Sequence, residues 1–301
     1  MDAGTFARLV RVQFTPVMVA PVVLGAAFAW HTEGAFNPVL FALALGGAIL
    51  LHLAANAIDD VYDYVNGVDR VAEEMFPKDA PGWKPLARGR VSLGGAFLLS
   101  YTLYGLSVLI GVYLSFTVGW PALGIALPGI LLSYFYTAPP LRLDYRGAGL
   151  GEASILLSFG PIPALGTYYV LTGHVAPLAA LVSIPSGLLT TAILLSHDMI
   201  FYDVYRTAGK RSLTVVIGRP DSARLVTVLG AAAYLILASF IVSGIVPERS
   251  AVAFLAFPLL LKVSEVRRRE RTPAEYGKRT MLVFIHSVTF TLLFSVGLLL
   301  G

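Results

Sequence analysis

Asn56-Ala57-Ile58-Asp59-Asp60-Val61-Tyr62-Asp63-Tyr64-Val65-Asn66-Gly67-Val68-Asp69 follows directly on an apolar run, residues 38–55. Read as the end of one helix, Asn56, Asp59, Asp60 and Asp63 fall at i, i+3, i+4 and i+7. At roughly 100° per residue they share one face. The period that normally marks a buried apolar stripe here marks acids. Carboxylates this close repel, so one of them protonates or a cation sits between them. At the end of an apolar helix such a group reads as a functional site. Its hard oxygens suit Mg²⁺, which is held by one or two carboxylates together with substrate phosphates. A plain solvated helix end turning at Asn66-Gly67 is the competing reading, and four polar groups on one face speak against it.

Working outward, the 301-residue chain is 56% hydrophobic and 13% charged, with a mean hydropathy of +0.75. A soluble domain carries about 25% charged residues, so lipid is the expected solvent. There is no cysteine, which excludes disulfides and thiol chemistry. Arg8, Arg11 and residues 12–30 have the outline of a signal peptide. Pro16 and Pro21 inside the run, and the many runs that follow, favour a retained first helix.

Runs long enough to cross a bilayer need about 20 residues. They read as 12–30, 38–58, 91–116, 119–136, 151–172, 176–197, 223–246, 250–263 and 280–300. The eighth is short. Nine spans put every Lys and Arg except Arg249 on one side, and every acid except Glu33 and Glu248. By the positive-inside rule that side is cytoplasmic, with the N-terminus. The run Arg267-Arg268-Arg269-Glu270-Arg271 reads as topology and contact with anionic lipid. No nucleic acid is expected as a partner.

Three further groups lie on the cytoplasmic side. Ser196-His197-Asp198-Met199-Ile200-Phe201-Tyr202-Asp203, closing at Gly209-Lys210-Arg211, follows span six. Asp198 and Asp203 are five residues apart, about 140° on a regular helix, and converge only if the helix bends, bulges or ends between them. Lys210 and Arg211 can grip phosphate oxygens. Lys84-Pro85-Leu86-Ala87-Arg88-Gly89-Arg90 is a second basic group. Tyr134-Phe135-Tyr136 through Asp144-Tyr145-Arg146 places aromatics at the membrane boundary, where they form an interfacial belt or face a cation. Phosphate-binding Gly-rich loops and HExxH or Cys/His metal spacings are absent.

With these motifs in place, the chain resembles the UbiA superfamily of intramembrane prenyltransferases. Asp59-Asp60-Val61-Tyr62-Asp63 with Asp69 looks like its first N-D-x-x-D…D motif, with Asp59 at the place of the Asn and Asn56 one turn earlier. Lys84-Pro85-Leu86…Gly89 is similar to its R/K-P-L…G segment. Tyr136-Thr137…Pro140-Leu141, Gly149-Leu150-Gly151-Glu152, Phe159-Gly160-Pro161 and Gly166-Thr167-Tyr168-Tyr169 look like the branch that prenylates 1,4-dihydroxy-2-naphthoate in menaquinone synthesis. The second motif departs from N-x-x-x-D-x-x-x-D: its acids are Asp198 and Asp203, and Tyr202 or Tyr205 stands where the family has an acid.

The resemblance implies an all-α polytopic membrane protein, nine helices around a central cavity, forming one domain over residues 1–301. The four-helix spacing between the acidic groups hints at a duplication of helices 1–4 in 5–8, with helix 9 added. It implies Mg²⁺ on Asp59, Asp60, Asp63, Asp198 and Asp203. A prenyl diphosphate would lie on Asn56, Lys84, Arg88, Arg146, Tyr202, Lys210 and Arg211. Tyr136 and Tyr168 would face the allylic cation, and an aromatic acceptor would take the chain. Other family acceptors are 4-hydroxybenzoate, a haem precursor, a carotenoid or an archaeal glycerol lipid. From another class, a cation-coupled transporter would place its acids near the bilayer midplane on broken helices.

Overall fold

The acidic stretch and its apolar run form one helix, Pro38–Val65, in the computed structural model, which describes residues 1–76, 84–266 and 272–301. Asn37 caps it, accepting from the amides of Val39 and Leu40, and Pro38 sits at its first turn, where its missing N–H costs nothing. At 1.5 Å per residue its 28 residues span about 42 Å, more than the ~30 Å hydrocarbon layer. The apolar residues before Asp59 are by themselves long enough for that layer, and the acids lie at their far end.

In chain order the helices are α1 (Ala3–Leu9), α2 (Pro16–Glu33), α3 (Pro38–Val65), α4 (Val68–Met75), α5 (Leu93–Val118), α6 (Pro121–Phe135), α7 (Leu150–Ser158), α8 (Pro161–Thr172), α9 (Pro177–Val182), α10 (Ile184–Ile200), α11 (Tyr202–Ala208), α12 (Leu213–Ile217), α13 (Arg219–Val242), α14 (Phe257–Val266) and α15 (Pro273–Leu300). Among the described residues no strand occurs beyond one isolated bridge, Arg146 to Arg211.

Seven helical segments among the described residues are long and apolar enough to cross a membrane. Two expected spans are built differently. Residues 119–136 hold the 15-residue α6, stopped by the turn before Pro139-Pro140, whose rings cannot continue a helix. Residues 250–263 begin as a 3₁₀ stretch, Glu248–Ala256, before α14. The arginine run at 267–271 lies outside the described residues. Two other spans are broken: α7 gives way to α8 at Gly160-Pro161, and α9 to α10 at Ser183.

The pairs α2–α3, α3–α5, α5–α6, α6–α7, α7–α10, α10–α15 and α15–α2 touch in turn and close a ring. Without a hydrophobic drive between helices in lipid, close packing must hold them. A Cβ on Gly25 would lie 2.4 Å from the Ala164 carbonyl oxygen, and one on Gly187 2.5 Å from that of Leu156. Glycine thus lets α2 meet α8, and α10 meet α7, backbone to backbone. Outside the ring Leu98, Leu109, Tyr113, Phe116, Leu235, Val242 and Leu255 are exposed, a surface that suits acyl chains and not water.

Candidate active site

The ring encloses a cavity of about 260 Å³. Its wall is apolar along α3, α5, α6 and α8, with Leu43, Leu51, Ile110, Leu114 and Ile125 among the lining. Its polar end is made by Arg11, Asn56, Asp59, Tyr136, Asp144, His197, Asp198, Tyr205 and Lys210. Acids from α3 and from the end of α10, more than a hundred residues apart in the chain, therefore meet at one mouth.

Three cations are threaded between the acids. Arg11, in the left-handed conformation at φ 51° before α2, donates to Asp59 Oδ2 at 2.8 Å, to Asp60 Oδ1 at 2.5 Å and to Asn56 Oδ1 at 3.4 Å. Lys84 Nζ lies 2.7 Å from Asp60 and 3.5 Å from Asp69. Lys210 Nζ lies 2.7 Å from Asp144 and 3.2 Å from Asp63, over the rings of Tyr205 and Tyr145. The Tyr145 hydroxyl donates to Asp63 at 2.6 Å. Asp198 is buried at the cavity wall, with His197 Nδ1 3.6 Å from its Oδ1.

Charge is not balanced here. Asp59, Asp60, Asp63, Asp69, Asp144 and Asp198 face Arg11, Lys84 and Lys210, six acids to three cations. Burial pushes Asp69 up to about 8, with Lys84 only partly offsetting it. Burial likewise pushes Asp144 up to about 7 against the pull of Lys210. For the cations burial opposes the charge but the carboxylates more than offset it. Asp60 and Asp59 hold Arg11 up, Asp60 and Asp69 hold Lys84 up, and Asp144 and Asp63 hold Lys210 up.

Asp59 Oδ1, both Asp69 oxygens, Asp144 Oδ1 and Asp198 Oδ2 are buried without a hydrogen-bond partner. Such orphans are costly unless something else binds them. Hard, anionic oxygens with spare lone pairs are what a Mg²⁺ ion takes, so the donor set fits that ion. Among the described residues no three acids converge into a ready-made metal cluster; Arg11, Lys84 and Lys210 stand between them.

The other expected site residues divide. Asn56 and Tyr136 line the cavity, and Lys84 and Lys210 belong to the charged mouth. Arg88 sits next to it, paired with Glu73 of α4 at 2.9 Å. Asp203 does not join. The helix does end between Asp198 and Asp203, but α11 turns Asp203 outward, 64% exposed and 2.9 Å from Arg219. Tyr202 lies under the same arginine. Arg146 and Arg211 are exposed, Arg146 tied to the carbonyls of Leu141 and Pro140. Tyr168 is placed at the opposite end of α8, its hydroxyl 2.6 Å from Glu33. Unforeseen were the roles of Arg11, Asp144 and Tyr145. The one sequence signal for Asp144 is an acid just after an apolar run, inside an aromatic stretch.

A family model, "UbiA prenyltransferase family", matches residues 18–296. The chain belongs to the UbiA prenyltransferase family. It is accordingly a prenyltransferase enzyme. It is 25% identical over 302 aligned residues, 98% of this chain and 92% of the other, to the 1,4-dihydroxy-2-naphthoate octaprenyltransferase of Bacillus subtilis. Its fold is similar to the apo structure of a UbiA homolog from Aeropyrum pernix, with a TM-score of 0.71 and 16% identity, covering 96% of this chain and 98% of that one. A UbiA homolog from Archaeoglobus fulgidus bound to GPP and Mg²⁺ gives a TM-score of 0.67 at 16% identity, covering 95% and 99%.

Proposed function

We propose that this UbiA-family enzyme carries out Mg²⁺-dependent transfer of an isoprenoid chain from a prenyl diphosphate to an aromatic acceptor, in quinone synthesis of the menaquinone type. The observation that carries this is the meeting of Asp59, Asp60 and Asp63 with Asp198 at the mouth of an apolar cavity, with Lys84, Lys210 and Arg11 among them. The likeness to the Bacillus subtilis dihydroxynaphthoate octaprenyltransferase supports the naphthoate acceptor. The GPP and Mg²⁺ bound to the Archaeoglobus homolog support the diphosphate and the ion.

Mg²⁺ would be held from the two acidic groups, Asp59, Asp60 and Asp63 on one side and Asp198 on the other, with Asp59 and Asp198 each offering an unpartnered oxygen. Bound there, Mg²⁺ supplies Lewis-acid neutralisation of the leaving diphosphate. Lys84, Lys210 and Arg11 add fixed positive charge at the same mouth. When the allylic C–O bond breaks, its electron pair leaves with the diphosphate. The apolar wall keeps water from the resulting cation, and the Tyr136 ring offers it a π face. The acceptor's ring carbon forms the new C–C bond and then loses its proton, or, for a naphthoate carbon bearing the carboxylate, loses CO₂. The prenyl tail lies along Leu51, Ile110 and Leu114.

We take the chain as one domain of nine spans with the N-terminus and the acidic mouth cytoplasmic, in the cell membrane, and helices 5–8 as a repeat of 1–4. The rim position of the acids, given the length of α3, favours an enzyme over a transporter with midplane acids. The test is purified protein with Mg²⁺, a radiolabelled prenyl diphosphate and a panel of acceptors. The reading expects transfer to dihydroxynaphthoate. Transfer to another acceptor alone would replace the quinone assignment, and no transfer to any would remove the aromatic one.

A further inference from the structure

One polar side chain of the cavity wall takes no part in the charged mouth. His52 lies on α3 one turn deeper than Asn56, 6% exposed, and lines the cavity. A chain of hydrogen bonds sets its tautomer. Arg11 Nη1 donates to Asn56 Oδ1 at 3.4 Å. The other end of that amide, Nδ2, lies 3.0 Å from the His52 carbonyl oxygen and 3.1 Å from His52 Nε2. The carbonyl can only accept, so this atom is the amide nitrogen. An amide nitrogen only donates, so Nε2 accepts and the ring hydrogen sits on Nδ1.

Nδ1–H has no partner among the described residues, and Nδ1 is not sealed off by protein. Phe159 meets the imidazole edge-on, ring centroids 5.6 Å apart. Below the charged mouth the wall thus offers a fixed N–H donor. A hydrocarbon tail makes no use of it, and an unmet N–H in an apolar wall is unfavourable. The diphosphate belongs with the cations at the mouth, about 5 Å or more away by one helical turn. What remains is the second substrate, whose oxygens must lie beside the reacting carbon.

We propose that His52 is a specificity-determining residue for the acceptor, its Nδ1–H donating to a ring oxygen of an oxygenated aromatic compound. This rests on the prenyl-transfer reading above. The test measures KM for each substrate separately in the wild type and in His52→Leu, His52→Asn and His52→Gln, with a dihydroxynaphthoic acid and its two monohydroxy analogues as acceptors. Asn carries an N–H near the Nδ1 position, while Gln reaches only towards Nε2. His52→Leu raises the acceptor KM about tenfold, the worth of one hydrogen bond, and leaves the prenyl diphosphate KM unchanged. His52→Asn restores most of the loss and His52→Gln does not. One analogue is penalised in the wild type but no further in His52→Leu, because the bond is already gone.

An unchanged acceptor KM, an equal rise for both substrates, or full analogue discrimination in His52→Leu overturns the proposal. If His52→Leu does not fold, equal acceptor KM values in the Asn and Gln variants overturn it, and the expected split supports it. A wild type that transfers to no aromatic acceptor brings down the parent reading, and this role with it. A wild type that transfers while His52→Leu matches it brings down this role alone.

Discussion

At the scale of single residues, Lys210 ties the site together, because it is buried and shared by Asp63 and Asp144. Removing one member of a buried ionic group leaves the others uncompensated, at about 3–5 kcal/mol. Lys210→Met therefore lowers the thermal unfolding midpoint in detergent on the order of 5 °C or more, as well as abolishing transfer. Asp203 makes the opposite case. Its exposed carboxylate meets only Arg219, so Asp203→Asn keeps turnover within about twofold, as exposed pairs are worth little. Asp198→Asn, five residues earlier but at the cavity wall, loses at least about a hundredfold, the scale of a lost electrostatic contact to the transition state. Steady-state rates of the two variants side by side separate the positions. Both aspartates were in view from the sequence. Which one turns inward was not, because the break at Phe201 sets it, and no spacing rule gives the direction a chain takes after a helix ends.

At the scale of elements, the apolar helices and the acidic end of α3 were legible because composition and a 3.6-residue period carry them. What composition does not show is where a helix is interrupted. The breaks at Gly160 and Ser183 lie within runs that read as continuous, and hydrophobicity does not register a few displaced backbone hydrogen bonds. Asp144 escaped assignment for a related reason: it sits in a loop whose path depends on the turns around it, and only folding brings it to Lys210. Tyr168 meets the same limit: its position on α8 puts it at the Glu33 end, which hydrophobicity does not register. Packing between elements is tested at Gly25. A larger side chain there meets the Ala164 backbone, which cannot swing aside as a side-chain tip can. Gly25→Leu costs about 1–3 kcal/mol, seen as a midpoint lowered by a few degrees, and it parts α2 from α8.

For the whole molecule, the proposed orientation follows from where the charges lie. Arg11, Lys84, Asp63, Asp198 and Lys210 share one end of the ring, and Glu33, Tyr168 and His174 cluster at the other. Since the chain has no cysteine, single introduced cysteines report sidedness without background. In right-side-out vesicles, Val175→Cys is labelled by an impermeant maleimide and Thr207→Cys only after permeabilisation; both positions are exposed. The reverse pattern inverts the topology. The cavity between these ends is lined from both halves of the chain, and the proposed function requires carboxylates from both to serve one substrate.

That joint demand is measured most directly by binding radiolabelled prenyl diphosphate to the purified wild type, Asp63→Asn, Asp198→Asn and the double variant, each with Mg²⁺ and with EDTA. EDTA is expected to remove binding by the wild type, each single variant to lose at least about tenfold in affinity, and the double variant to lose less than the product of the two because they serve one group. Wild-type, Mg²⁺-dependent affinity in either single variant would contradict that joint demand.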